Sequence, residues 1–287
     1  MMNAPSVKGF FDLSTNSVSY LVADLQTKRA AIIDPVLNFD AASGRVSTIG
    51  ADAIRDEATR YGLTIEWILE THAHADHLSA APYLQQHLGG KIGIGVQIAE
   101  VRAAFEPVFG KSAPGSPEDF DALFADGDEF LLGAIPVRVM HTPGHTPACV
   151  TYLIRDCAFV GDTFFMPDYG TARCDFPGGD ARALYRSIQK LFALPDTTRV
   201  FLCHDYKAPG RKDFCWETTI GAERAANVHV KAGVSENDFV AMRKARDKTL
   251  GMPKLLLPAI QVNLQAGRLP APEPNGISYL KLPLNQF

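Results

Sequence analysis

Thr71-His72-Ala73-His74-Ala75-Asp76-His77 gathers three imidazoles and one carboxylate into the six residues from His72 to His77. Just before it, Thr64-Ile65-Glu66-Trp67-Ile68-Leu69 is rich in β-branched and aromatic residues and reads as a short buried strand. Just after it, residues 78–88 read as a helix. The cluster therefore falls on a strand-to-helix turn, where side chains of near-consecutive residues converge on one point. Imidazole and carboxylate are ligands that borderline divalent metals take. A His-rich run can also be a solvated loop or a tag scar. A tag would be terminal, however, and this run is internal, adjoins a buried strand and contains Asp76. The reading is a metal site.

Outward from that turn, strands are expected at residues 8–11, 17–24 and 30–34, the last an apolar run stopped by Asp34-Pro35. A helix is expected at 49–61, a strand at 89–95 between glycine breaks, a helix at 96–105 and a loop at 111–118 around Pro114, Gly115 and Pro117. Strands recur at 129–132, 136–141, 149–154 and 158–161. A helix follows at 180–191, a strand at 199–203 and a helix at 215–228. Strands cluster in both halves, with helices between the later strands of each. That order predicts an α/β fold of two mixed sheets packed face to face, with helices on the outer faces. Residues 1–234 form the main domain on this reading. Residues 235–287 form a C-terminal extension, with helices at 236–250 and 255–265, docked on that domain and shaping the mouth of the site.

The bulk properties narrow the function classes. The 287 residues are 46% hydrophobic and 21% charged, enough for a sizeable core. A formal charge of −4 argues against nucleic acid or an anionic membrane as the main partner. The start, Met1-Met2-Asn3-Ala4-Pro5-Ser6-Val7-Lys8, lacks the features of a signal peptide, and no run is apolar enough for a membrane span. Five cysteines, with no CxxC pair, fit reduced thiols in a cytoplasmic enzyme.

Three further positions repeat one design, a metal-capable side chain just after a β-rich run. Residues 136–140 lead into His141-Thr142-Pro143-Gly144-His145, where Pro143-Gly144 makes a tight turn that aims His145 inward. Ala158-Phe159-Val160-Gly161-Asp162 ends a strand with a carboxylate straight after a glycine, and residues 199–203 lead into His204. A strand-terminal Asp or His is more often a cap than a ligand. The joint occurrence in this order is what carries weight.

The pattern His-x-His-x-Asp-His, then His145, Asp162 and His204, resembles the metallo-β-lactamase superfamily over about residues 7–230. The resemblance implies an αββα sandwich with a metal site at one edge of the two sheets. In two-metal members His72, His74 and His145 would hold one ion, Asp76, His77 and His204 a second, and Asp162 would bridge them. A narrower resemblance lies in Thr171-Ala172-Arg173-Cys174-Asp175-Phe176, followed by His204-Asp205-Tyr206, Thr218-Thr219, Glu223-Arg224 and Asn227. An Arg-x-Asp-Phe element here is similar to that of the persulfide (sulfur) dioxygenases. Glyoxalase II enzymes more typically carry Gly-Arg-x-Phe-Glu-Gly at this point, and this chain does not.

That branch implies one Fe(II) per chain held by His72, His145 and Asp162, a two-histidine, one-carboxylate set that leaves positions open. His74, Asp76, His77 and His204 would then orient the ligands and hold water. The implied reaction oxidises a thiol persulfide, with glutathione persulfide as the expected substrate, by O2 to sulfite and the free thiol. The competing reading is a di-zinc hydrolase of a thioester or lactone, glyoxalase II-like, whose metal-held hydroxide attacks a carbonyl. Relatedness also suggests a homodimer.

Glutathione carries two carboxylates, so cations are expected near the metal. Arg173, in the loop after Asp162, is the first candidate, against an alternative in which it pairs with Asp175 or Asp168 to hold that loop. Tyr206, Lys207 and Arg211 follow His204 and are candidates for the same rim, as is Tyr169. Cys203 reads as core, Cys174 as a thiol on an exposed loop open to oxidation, and His141 as structural.

Overall fold

The computed structural model describes residues 4–109 and 115–286. The first sheet opens with β1 (Ser6–Asp12), β2 (Ser17–Asp24) and β3 (Arg29–Ile33), which run antiparallel. It continues in parallel through β6 (Thr64–Leu69), β8 (Lys91–Gly95) and β9 (Ala122–Phe124). A small three-stranded sheet sits beside it, formed by β4 (Val36–Asp40), β5 (Arg45–Ser47) and β7 (Leu78–Ser79). The second large sheet runs β10 (Glu129–Leu132), β11 (Ile135–His141), β12 (Val150–Ile154), β13 (Cys157–Phe159), β14 (Arg199–Phe201) and β15 (Glu217–Thr219). Its one parallel pair is β13 with β14. Both large sheets are mixed, as expected.

The side-chain period of two builds the layers. Along the fully buried β2, Val18, Tyr20 and Val22 face the second sheet, where Val137, Val139, Tyr152, Phe159 and Phe201 meet them. Leu21 and Ala23 point the other way. They pack with Ile32, Ile68 and Ile92 under α1 (Ile49–Arg60), α2 (Ala81–Leu88) and α3 (Ile98–Phe109). The outer face of the second sheet is covered by α4 (Ala181–Phe192), α5 (Ile220–Ala226) and α6 (Glu236–Asp247). In α4 the buried Leu184, Ile188 and Leu191 recur at helical spacing, and Asp180 caps its first turn by accepting from the Ala183 amide at 2.7 Å. The last helix, α7 (Leu256–Asn263), returns across the molecule to the first-sheet side, where Ile260 and Val262 join that core. Among the described residues no helix is long and apolar enough to cross a membrane.

Several elements differ from expectation. The helix expected from residue 78 starts at Ala81, because residues 78 and 79 pair with β4 instead, Leu37 opposite Leu78 and Val36 opposite Ser79. Asp34-Pro35 stops β3, but Asp34 adopts φ +49° and redirects the chain straight into β4. The helix expected over 215–228 is shorter. Glu217–Thr219 is an edge strand on β14, and α5 begins only after Thr219, whose hydroxyl accepts from the Ala222 amide at 3.1 Å. Three-residue β9 was not foreseen. Of the loop expected over 111–118, residues 111–114 lie outside the described residues, and Pro117–Asp119 form a 3-10 turn.

Candidate metal centre

The turn from Glu70 to His77 leaves β6 at the end where the two large sheets meet. Thr71 anchors it. Its amide and hydroxyl both donate to Asp34, at 2.7 and 2.8 Å, and its carbonyl accepts from the Val150 amide of the second sheet at 2.9 Å. His72 (1% exposed), His145 (4%) and Asp162 (7%) come from three separate elements. Their ligand atoms all lie within 4.8 Å of one another. His145 Nε2 is 3.6 Å from Asp162 Oδ2, while its Nδ1 donates to the Arg173 carbonyl at 2.8 Å and so aims Nε2 at the group. Two glycines make this approach possible. At Gly144 (φ +141°) a Cβ would strike the Leu184 backbone at 2.3 Å, and at Gly161 (φ +52°) it would lie 2.5 Å from Thr71 Oγ1.

The other members of the cluster adjoin this trio. His74 Nε2 lies 3.0 Å from Asp34 Oδ1 and 3.6 Å from Glu70 Oε2, with both carboxylates buried. His204 Nε2 lies 3.4 Å from Asp76 Oδ2 and 3.4 Å from Asp162 Oδ1. His74, Asp76 and His77 form a second group with ligand atoms within 4.8 Å, and so do His74, Cys203 and His204. The two-metal mapping places His74 with His72 and His145. In the structure it is Asp162 that joins those two.

Charge follows from these neighbours. Burial, reinforced by the surrounding imidazoles, holds His72 well below the usual histidine range, so it is a neutral donor. Burial lowers His77 to about 4. Burial opposes protonation of His204 too, but Asp162 and Asp76 outweigh it and push it well above the usual value. His74 is raised likewise, burial being overcome by Asp34 and Cys203. Burial raises Glu70, so the carboxylate partner of His74 is Asp34. The buried Nε2 atoms of His72 and His77 have no hydrogen-bond partner among the described residues. Native structures rarely leave such atoms unsatisfied, and a divalent cation is what this donor set fits.

His145 and Asp162 line a cavity of about 860 Å³. One wall is aromatic. Tyr206 stacks on His204 (ring centres 5.2 Å apart, planes at 12°), and Phe165 and Tyr169 pack edge-on or tilted around it. Tyr169, Tyr206 and Arg173 line the cavity, whereas Lys207 and Arg211 do not. Lys207 Nζ reaches the Lys212 carbonyl and lies over the Phe214 ring, and Arg211 is spent on Asp205 and Asp168. Arg173 faces the cavity with its guanidinium already engaged. It donates to both Asp175 oxygens at 2.6 and 2.8 Å and to the Gly251 carbonyl at 2.6 Å. The alternative reading, a loop-holding ion pair with Asp175, describes what it does here. Cys174 is buried and its thiol is pushed up by burial, so the expected exposure is absent. His141 Nε2 donates to the Pro147 carbonyl at 2.7 Å, a structural role as read.

Sequence reading missed Asp34 and Glu70 as supports of His74. It also missed Arg246 and Lys254 of the C-terminal extension, exposed cations that line the cavity and have no ion-pair partner among the described residues. A signal existed for Asp34. It ends a strand parallel to the one that delivers the histidines, so its side chain emerges at the same sheet edge.

Residues 14–204 match the sequence profile of the metallo-beta-lactamase superfamily. A probable metallo-hydrolase of Burkholderia pseudomallei is 52% identical over 98% of this chain and 99% of its own length. A beta-lactamase hydrolase-like protein of Xylella fastidiosa is 56% identical over 99% of this chain, which spans 66% of that relative's length. The mitochondrial persulfide dioxygenase ETHE1 of Bos taurus is 28% identical, over 91% of this chain and 88% of its own. Among solved structures, ETHE1 from Myxococcus xanthus superposes with a TM-score of 0.75 at 30% identity, covering 92% of this chain and 100% of that one. The chain belongs to the metallo-beta-lactamase superfamily, on the branch it shares with ETHE1.

Proposed function

We propose that the protein is an Fe(II)- and O2-dependent persulfide dioxygenase, converting glutathione persulfide, O2 and water to glutathione, sulfite and two protons. The observation that carries this reading is the grouping of His72, His145 and Asp162, with His74 turned to Asp34. Two histidines and one carboxylate on one face suit a metal that must keep positions open for two reactants. Iron bound there supplies the one-electron steps that triplet O2 and a spin-paired thiolate require. The similarity to ETHE1 proteins supports the same reading.

The chain's own residues would do the rest. Arg173, through its carbonyl, keeps the His145 ring aimed. His204, whose Nε2 lies 3.4 Å from both Asp76 Oδ2 and Asp162 Oδ1, would hold the ligand carboxylate of Asp162 in place. The aromatic wall of Phe165, Tyr169 and Tyr206 excludes water from the reacting sulfur. Arg246 and Lys254, rather than Arg173, take the carboxylates of the thiol carrier.

A hydrolase acting on a thioester or lactone is the second reading. It is favoured by the hydrolase names of the relatives at 52% and 56% identity and by the presence of His74, Asp76, His77 and His204 beside the trio. Metal content and O2 uptake, measured together on anaerobically purified protein given glutathione and elemental sulfur, separate the two. About one iron per chain with O2 consumption and sulfite release is the expected outcome. About two zincs, no O2 uptake and cleavage of a glutathione thioester would overturn it.

A further inference from the structure

The turn that carries the histidine cluster has little scaffold of its own. Residues 72–77 make no backbone–backbone hydrogen bond among the described residues, although His72, His74 and His77 are all buried. Buried peptide groups need partners, and ligands need a fixed backbone to present them. Part of that support comes from Asn263, at the last turn of α7 and 5% exposed. Its Nδ2 donates to the carbonyls of His74 and of His77, each at 2.8 Å. Its Oδ1 accepts from the Ser79 amide, also at 2.8 Å. One amide thus ties three points of the turn to a helix 184 or more positions away in sequence.

A second buried clamp from the same extension holds the other side. Arg243 pairs with Asp247 within α6, at 2.7 Å, and donates to the Thr171 carbonyl at 3.0 Å. Asp247 accepts from the Cys174 amide at 3.0 Å. These contacts bracket Arg173, whose carbonyl orients His145. The profile match ends at residue 204, before either clamp.

We infer that the C-terminal extension is a working part of the metal centre, with Asn263 as the positioning residue for the His72–His77 turn. The inference holds for iron and zinc alike. Its failure is therefore distinguishable from failure of the dioxygenase reading.

The test compares three variants. Asn263→Asp keeps the shape and the acceptor for Ser79 but loses both donors. Asn263→Ala loses all three bonds. Gln261→Ala, on the same helix and as little exposed as Asn263, removes three bonds that run to the Leu257 carbonyl and to the backbone of Lys281, away from the turn. Each is titrated with Co(II) against a chelator, and the visible ligand-field spectrum of the bound Co(II) is recorded. Both Asn263 variants should bind about 10–100-fold more weakly with an altered spectrum. Gln261→Ala should keep parental affinity and spectrum whatever its loss of Tm. An Asn263 variant that unfolds alone but regains a cooperative transition in excess Co(II) supports the inference equally. Parental affinity and spectrum in the Asn263 variants would overturn it. So would losses matched by Gln261→Ala, or an unfolded variant that metal does not rescue.

Discussion

Replacing Gly161 by Ala tests whether the approach of Asp162 to His72 depends on a missing side chain. Gly161 has φ +52°, a left-handed conformation that costs a non-glycine residue about 1–2 kcal/mol. Its added Cβ would also lie 2.5 Å from Thr71 Oγ1, 2.8 Å from Thr71 Cβ and 3.4 Å from His72 Nδ1. Thr71 cannot yield freely, because its amide and hydroxyl are both held by the buried Asp34. Crowding of this kind costs about 1–3 kcal/mol, so the total is about 2–5 kcal/mol. That is a large share of the roughly 5–15 kcal/mol that stabilises a domain. Gly62→Ala is the control, since Gly62 has a similar φ, +62°, with nothing within 4 Å of its would-be Cβ. It should lose only the conformational part, about 1–2 kcal/mol. Urea denaturation of both variants, with Co(II) affinity as a second readout, measures the difference. Equal losses in stability and unchanged Co(II) affinity for Gly161→Ala would refute the claim that Thr71 and His72 are packed against this glycine.

Four further outcomes are expected. Burial pushes Glu223 up to about 8, only partly opposed by its bond from Asn227, so the folded protein holds a proton that the unfolded chain releases. Its contribution is therefore undiminished below the ordinary carboxyl value of 4.5 and falls by about 1.4 kcal/mol per pH unit until about pH 8. Glu223→Gln should remove that slope, its stability advantage growing from pH 5 to pH 8, whereas parallel pH profiles for parent and variant would contradict the assignment. For the persulfide reaction, Arg246→Ala and Lys254→Ala should each raise KM for glutathione persulfide about 5–10-fold with kcat retained, as loss of uniform binding requires. Arg173→Ala should lower activity on charged and uncharged persulfides alike, because it releases the loop behind His145, and a selective loss on the charged substrate would return it to the role of carboxylate clamp. Cys174→Ser should leave metal stoichiometry and turnover near parental values, since a buried, protonated thiol is no nucleophile; lost turnover with metal retained would show otherwise.

Much of the sandwich was legible because its strands carry their own signal. The runs at 17–24, 64–69 and 129–132 coincide with β2, β6 and β10, where apolar and β-branched residues decide conformation locally. The errors sit where tertiary pairing overrides local preference. Leu78–Ser79 belongs to a strand because Val36 and Leu37 lie opposite, and Glu217–Thr219 belongs to one because β14 needs an edge partner.

The metal-ligand pattern was determined by the sequence itself. His72, His74, Asp76 and His77 lie on one turn, so their convergence needs no distant partner, and His145 and Asp162 each follow a glycine that lets the backbone come close. Tertiary structure alone decided which of these side chains share a point and what becomes of the others. His74 turns to Asp34 only because β3 and β6 are parallel neighbours. The Arg173 pair with Asp175 is local, but its further bond forms only because the chain after α6 brings the Gly251 carbonyl to it. Asn263 reaches the histidine turn only because α7 folds back under the first sheet. Hydrogen bonds and ion pairs act over a few ångströms, and no spacing or periodicity in a sequence records which residues, about 40 to 190 positions apart, will come within that range.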